Sequence, residues 1–70
     1  MTVDFNIREN NVFWTSKMHQ LNSDILKRHV LVLGKVSDID LEFHYCEQSG
    51  KGQILNRKGR QLGSFMVQSA

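Results

Sequence analysis

The chain alternates apolar and polar side chains strictly between residues 38 and 46. The apolar positions there are Ile39, Leu41, Phe43 and Tyr45. Successive side chains of a β-strand point to opposite faces, so this period of two predicts a strand with one face in the core. The opposite face carries Asp38, Asp40 and Glu42, followed by His44 and Cys46, and we expect it to be solvated.

The N-terminal residues predict a hairpin. Apolar and polar side chains alternate in the first strand, whose apolar members are Val3, Phe5 and Ile7. Asn10-Asn11 follows, and because Asn tolerates positive φ we expect a two-residue turn there. Such a turn pairs Glu9 with Val12. The same register places Trp14 opposite Ile7, on the core face.

From Ser16 the period changes and predicts one short helix over residues 17–28. The apolar side chains that recur three to five positions apart are Met18, Leu21, Ile25 and Val30. We expect Thr15 or Ser16 to cap its start, while cationic side chains near residue 28 suit the C-terminal end of a helix dipole. The alternative is a turn at Asn22-Ser23 that splits this segment.

The remaining segments predict further strands. Residues 30–36 are rich in Val and Leu around Gly34, which favours a central strand with a bulge, and Ser37-Asp38 then turns the chain. After a loop over residues 48–52, residues 53–55 and 60–67 predict a hairpin. Its connection begins with Asn56 and ends with Gly59, as in a type I turn closed by a left-handed Gly around a three-residue loop. This hairpin would place Ile54 opposite Leu62.

Together these elements predict an α+β fold, a small curved antiparallel sheet of four to six strands with one short helix across it. An all-β SH3-like barrel is the alternative, and only the helix over residues 17–28 separates the two. Seventy residues suffice for a single domain, residues 1–70. Because so small a core barely offsets the entropy lost on folding, we expect self-association through sheet edges that contain no Pro.

Cysteine content and hydropathy suggest a location. The chain has one Cys, so no disulfide can form within it, and this favours a reducing compartment, by default the cytoplasm. The N-terminus lacks a basic region followed by an apolar stretch, so we expect no secretory signal. The longest uninterrupted apolar run has four residues, 30–33, and a membrane span needs about 20.

Catalytic and metal-binding chemistry is weakly represented. His44 and Cys46 share a strand face beside Glu42, but a structural zinc site usually needs four Cys or His ligands. Cys46 is also the best candidate nucleophile, and we expect the carboxylates of Asp40, Glu42 and Glu47 to raise its thiol pKa and leave it unreactive. The sequence therefore predicts no catalytic residue, no metal and no cofactor.

Basic residues dominate the C-terminal hairpin. Residues 36–50 carry four acidic and no basic side chains, whereas residues 51–70 carry four basic and no acidic ones. The four are Lys51, Arg57, Lys58 and Arg60. A two-stranded ribbon with such a tip has the size and charge to contact phosphates, although a solvated tip beside an acidic strand has the same composition. Phe13, Trp14 and Tyr45 could stack on bases, and we expect Trp14 to belong to the core instead.

These features favour a small, cytoplasmic, non-catalytic interaction module. We expect it to form a homodimer and to act through protein–protein contacts, with itself and with an unidentified protein, and not at a membrane. The alternative is a nucleic-acid-binding regulator that uses the basic hairpin.

Overall fold

The computed structural model describes residues 1–8, 10–36 and 40–68. The elements in chain order are β1 (Thr2–Ile7), β2 (Val12–Lys17), α1 (Ser23–Leu33), β3 (Glu42–Cys46), β4 (Lys51–Leu55) and β5 (Gln61–Gln68). The five strands form one antiparallel sheet in the order β2-β1-β5-β4-β3. The α+β prediction is confirmed. The barrel alternative is wrong, because the sheet formed by the described residues stays open between β2 and β3.

The core lies between one face of this sheet and α1. β1 is nearly central, and its predicted alternation is confirmed, with every second side chain fully buried. The buried apolar residues are Val3, Phe5, Ile7, Met18, Leu26, Val30, Val36, Ile54, Leu62 and Phe65. Because they come from β1, β4, β5 and α1 as well as from the connections, the helix and sheet stabilise each other.

The first hairpin has a different register from the predicted one. Ile7 pairs with Val12, so the predicted partner Trp14 is wrong, and Glu9 itself lies outside the described residues. Trp14 pairs instead with Phe5, and their rings stack with centroids 4.7 Å apart. This aromatic pair favours the observed register, because offset stacking adds to the stabilisation gained by burial.

The helix begins later than predicted. Asn22 is its N-cap, and the Asn22 side-chain oxygen accepts a hydrogen bond from Ile25 N at 2.9 Å. The predicted span of 17–28 and the predicted caps Thr15 and Ser16 are therefore wrong, since both residues belong to β2. The alternative, a turn at Asn22-Ser23 that splits the segment, is correct in that no helix crosses Asn22, but Ser23 is already helical. The Asn22 side-chain oxygen satisfies an N–H group that the first helical turn leaves free.

The predicted strand over residues 30–36 is wrong, because α1 continues to Leu33. Leu26 and Val30 are four residues apart, share one helical face and are both buried, so packing overrides the strand preference of Val. The helix ends at Gly34, whose N–H donates to Val30 O at 3.0 Å. No helix in the described part of the chain is long and apolar enough to cross a membrane.

The C-terminal hairpin is confirmed with a small change in register. Gly59 has φ 82° and donates its N–H to Asn56 O at 3.0 Å, as predicted for the turn. β4 already begins at Lys51, so part of the predicted loop over residues 48–52 is strand. Ile54 pairs with Gly63 and not with Leu62, because the pairing shifts by one residue after Ile54.

β3 is shorter than the predicted strand over residues 38–46. It begins at Glu42, so Asp40 precedes it, and the predicted turn at Ser37-Asp38 and the position of Ile39 lie outside the described residues. The predicted core face is correct, since the Phe43 and Tyr45 rings both pack against Phe65. Tyr45 is nevertheless 39% exposed. An edge strand has a neighbour on one side only, which explains the incomplete burial.

Candidate functional site

The sheet has one covered face and one open face. α1 packs over β1, where the His29 ring lies parallel to the Phe5 ring at a centroid distance of 5.9 Å. Side chains that alternate with the buried ones point away from α1. This open face holds a groove of about 510 Å³. The side chains that line the groove include Asp4, Asn6, Phe13, Lys51, Gln53, Gln61, Ser64 and Met66.

Aromatic side chains divide between the two faces. Trp14 is half-buried against Phe5, so its predicted place in the core is confirmed. Tyr45 stacks on Phe65 on the covered face. Phe13 lies on the open face and is 67% exposed, the largest exposure among the described Phe, Trp and Tyr residues. Of the three candidates for base stacking, only Phe13 therefore presents its ring on the open face.

β2 has an unpaired backbone edge. Met1 and Met18 exchange two main-chain hydrogen bonds, at 3.0 and 3.1 Å. Hydrogen-bonded and non-hydrogen-bonded pairs alternate along antiparallel strands, so the register assigns the N–H and C=O groups of every second β2 residue to the outer side. These residues are Phe13, Thr15 and Lys17. We call their outward groups the β2 edge, and no strand of the described residues pairs with it.

The edge at β3 is better protected. The same alternation, counted from the hydrogen bond between Val67 N and Gly50 O, turns the backbone groups of Phe43 and Tyr45 outward. β3 is one residue shorter than β2, and its Glu42 Oε2 and His44 Nε2 atoms lie 3.5 Å apart. Charged side chains and short length discourage pairing at a sheet edge. Each strand has one Lys or Glu, at an end, so the greater length of β2 and the polar His44 at the centre of β3 make β2 the more open of the two edges.

The four predicted basic residues do not form one cluster. Arg57, Lys58 and Arg60 are exposed at the hairpin tip, where the Asn56 side chain accepts hydrogen bonds from Lys58 N and Arg60 N at 3.0 and 2.9 Å. Lys51 begins β4, four residues before its end, so a length of about 13 Å of strand separates it from the tip. The tip is thus a defined turn, and Lys51 belongs to the open face.

Tertiary structure adds two cations that sequence reasoning missed. Arg8 N donates to Leu62 O at 3.0 Å, which brings Arg8 to the end of the sheet where the hairpin tip lies. Lys35 is held at this end too, because Asn10 Nδ2 donates to Lys35 O at 2.9 Å. We call the group at this end the basic end; it consists of Arg8, Lys35, Arg57, Lys58 and Arg60. No local pattern signals it, because its members come from three separate segments.

Acidic side chains partly offset the basic end. The Arg57 guanidinium lies 3.9 Å from the Asp40 carboxylate, and Glu42 begins the neighbouring strand β3. Both residues of the Arg57–Asp40 pair are exposed, so solvent screens their attraction and the arginine can exchange partners. Glu9 and Asp38 lie outside the described residues. Among the described residues, five cations therefore face two carboxylates at this end.

The thiol pKa of Cys46 is shifted in the direction opposite to the predicted one. Hydrogen bonds from the Ser49 backbone and side chain, and from the Gln48 backbone, lower the pKa of the Cys46 thiol despite the nearby Glu47 carboxylate. The expected rise in thiol pKa is therefore wrong, because the turn after β3 places donors close to the sulfur. Cys46 is exposed and free. No group of three His, Cys, Asp or Glu side chains among the described residues is arranged to hold a metal ion.

Comparisons with protein-family models, with curated proteins and with solved structures return no match. The β2 edge, the basic end and the open face are therefore interpreted from their own chemistry.

Proposed function

We propose that this chain is a non-catalytic interaction module that binds a second copy of itself through the β2 edge. The observation that carries the proposal is that edge, which is unpaired, nearly uncharged and flanked by the exposed ring of Phe13. Strand edges of this kind readily pair with another chain. The same edge is available to an unidentified protein partner. The single free cysteine supports a cytoplasmic location, where thiols stay reduced.

The outward backbone groups define the register of the dimer. Three N–H and three C=O groups face outward on β2, and a symmetric antiparallel pair uses all of them only when Thr15 faces Thr15 of the second copy. This register places Phe13 opposite Lys17 of the second copy on the open face. A cation near an aromatic ring is attracted to it, so the side chains support the register that the backbone selects.

The expected affinity is modest. Each of the six new hydrogen bonds contributes about 0.5–1.5 kcal/mol net, and each of the two contacts between Phe13 and Lys17 about 0.5–1 kcal/mol. Association costs about 4–15 kcal/mol in lost translational and rotational freedom. These gains are similar in size to the cost of association. We therefore expect dimers at protein concentrations of about tens of micromolar.

Cysteine cross-linking tests both the dimer and its register. The variant Thr15→Cys in a Cys46→Ser background places two cysteines opposite each other in a hydrogen-bonded pair, with Cα atoms about 5.5 Å apart. A short bis-maleimide reagent, which spans the Cβ separation of such a pair, should give a covalent dimer on a denaturing gel. The matched control is His44→Cys in the same background, which puts an exposed cysteine at the centre of the other edge strand, β3.

The cross-linking and sedimentation results distinguish pairing through β2, pairing through β3 and no self-association. A covalent dimer with Thr15→Cys and none with His44→Cys supports pairing through β2. Cross-linking of the control alone would move the interface to β3. A sedimentation profile that stays monomeric at tens of micromolar and above would overturn self-association altogether.

The basic end supports a second candidate function, binding to nucleic acid. Arg8 and Lys35 lie at the same end of the sheet as the hairpin tip, so this end carries two more cations than the sequence predicts. Clustered cations bind phosphates and release counterions, which makes affinity fall steeply with salt. Fluorescence anisotropy with a labelled oligonucleotide should show salt-dependent binding. The triple variant Arg57, Lys58, Arg60→Ala should bind the oligonucleotide more weakly than the unaltered chain. Equal binding by the variant and the unaltered chain would exclude the hairpin tip as the binding site.

A further inference from the structure

The groove on the open face begins beside the basic end and extends toward Lys51. Gln61 starts β5 directly after the hairpin tip and lines the groove at that end. Lys51, paired with Met66, lines it toward the opposite end. A negatively charged chain bound at the basic end can therefore extend into the groove, where Lys51 provides a further cation.

The middle of the groove offers free hydrogen-bonding side chains. Asn6 pairs with Ser64, and Ser64 pairs with Gln53, so these three polar side chains form one row across β1, β5 and β4. None of the three side chains makes a hydrogen bond to another described residue. Amide and hydroxyl groups both donate and accept, which suits the edges of unpaired bases.

Phe13 extends this row at its β2 end. Phe13 on β2 pairs with Asn6 on β1, and the Phe13 ring is exposed on the open face. Aromatic side chains beside polar groups are the usual platform on which unpaired bases stack, whatever the base. Stacking here needs a base whose face is free, and in a duplex both faces of each internal base are covered by neighbours.

The charges on the open face are compatible with a polyanion. Asp4 is the carboxylate in the groove, and its oxygens already accept hydrogen bonds from Thr15 Oγ1 at 2.6 Å and Gln68 Nε2 at 2.5 Å. Glu42 is also on this face, at the β3 edge, where it lies 3.5 Å from His44. Lys51 has no carboxylate of the described residues in an ion pair with it, so Lys51 is free to contact phosphates.

We propose that the open face binds single-stranded nucleic acid, with a base stacked on Phe13, base edges contacting Asn6, Ser64 and Gln53, and phosphates at Lys51 and the basic end. The proposal rests on the second candidate function and adds to it the site and the preference for single strands.

The test compares probes and variants by fluorescence anisotropy. Labelled single-stranded DNA and RNA of about 10 nucleotides, and a duplex of the same length, are titrated at about 50 and 200 mM salt. Single strands should bind more tightly than the duplex. Phe13→Ala should weaken single-strand binding about 5- to 100-fold, as expected for the loss of a stacking platform. Lys51→Ala should reduce the slope of log affinity against log salt by about 1.

Two further variants separate this site from other effects. Val32→Ala removes an apolar side chain that is 74% exposed on α1, outside the open face, and should leave binding unchanged. Gln53→Ala changes the groove on β4, three strands from β2, so its effect does not depend on the proposed dimer. It should weaken single-strand binding without changing the sedimentation of the protein.

Several results would overturn the open-face site. If the triple variant at the tip loses binding while Phe13→Ala and Gln53→Ala do not, the basic end alone binds nucleic acid. Tighter binding of the duplex, or equal competition by polyglutamate, would also contradict a base-stacking groove. No binding of any probe below about 100 μM at the lower salt would overturn both nucleic-acid proposals, whereas the cross-linking experiment judges the dimer separately.

Discussion

Gly52 on β4 lies directly beneath the ring of Phe65, its cross-strand partner on β5. The ring occupies the space in which a Cβ atom at position 52 would stand. Tyr45, which pairs with Gly52 from the β3 side, stacks on the same ring at a centroid distance of 5.9 Å. The Phe65 ring thus fills the space above Gly52, which has no side chain to pack there. The stacked Tyr45 ring connects the edge strand β3 to the core.

We expect Gly52→Ala to destabilise the fold by about 1–3 kcal/mol, because the added methyl group would force Phe65 out of its position. Urea unfolding followed by circular dichroism measures the change. The matched control is Gly59→Asn, at a position with φ 82° and open space around the Cβ direction, where Asn tolerates the left-handed conformation. Equal urea midpoints for Gly52→Ala and the unaltered chain would show that the ring does not cover this glycine.

Two phenylalanines on neighbouring strands should respond in opposite ways to truncation. Phe5 is 2% exposed and Phe13 is 67% exposed. Phe5→Ala should cost about 3–5 kcal/mol, enough to unfold a domain of this size, because it leaves a cavity in the core. Phe13→Ala should change monomer stability by less than about 0.5 kcal/mol. Thermal melts at low protein concentration test the contrast, and similar melting temperatures would mean that the faces of the sheet are assigned wrongly.

The start of α1 depends on one asparagine side chain. Asn22→Ala removes the acceptor of the Ile25 N–H group and should lower the free energy of unfolding by about 1 kcal/mol. Asn22→Asp keeps an acceptor and should retain most of the stability. Helical circular dichroism and urea unfolding report both effects. A loss of the same size in Asn22→Asp would point to a role other than capping.

Cys46 should react faster than an ordinary cysteine at neutral pH. The hydrogen bonds from Ser49 lower its thiol pKa, so the thiolate forms at lower pH and the alkylation rate rises earlier as pH increases. Ser49→Ala removes the side-chain donor and should shift the rate profile with iodoacetamide to higher pH. Identical profiles for the two proteins would rule out this contribution of Ser49. An unstructured cysteine peptide provides the reference profile.

Local patterns predicted β1 and the C-terminal hairpin well. The alternation around Phe5 needs only neighbouring residues to define a face, and α1 covers that face of β1, which has a strand on each side. The turn from Asn56 to Gly59 is specified by its own residues. The Asn56 side chain accepts hydrogen bonds from the following backbone N–H groups, and Gly59 adopts a positive φ without strain. The exposed cations at the tip, Arg57, Lys58 and Arg60, were predicted correctly because they lie within or next to this locally specified turn.

Local patterns failed where burial chose between two possible structures. Residues 30–33 have strong strand propensity, yet they are helical because Val30 lies one turn after Leu26 and both reach the core. Similarly, the register of the first hairpin depends on the contact between Phe5 and Trp14, which two asparagines in the turn do not encode. Propensity amounts to tenths of a kcal/mol per residue, and burying a large side chain contributes several times more.

By itself the sequence determined one central strand and a basic turn, because each depends on residues close together in the chain, and it favoured an α+β fold over a barrel. Only the tertiary structure decided which edge stays unpaired, which aromatic ring faces outward, and that Arg8 and Lys35 join the hairpin tip at one end. These are relations between distant segments. They arise when the strands pair and α1 covers one face of the sheet, and no local period contains that information.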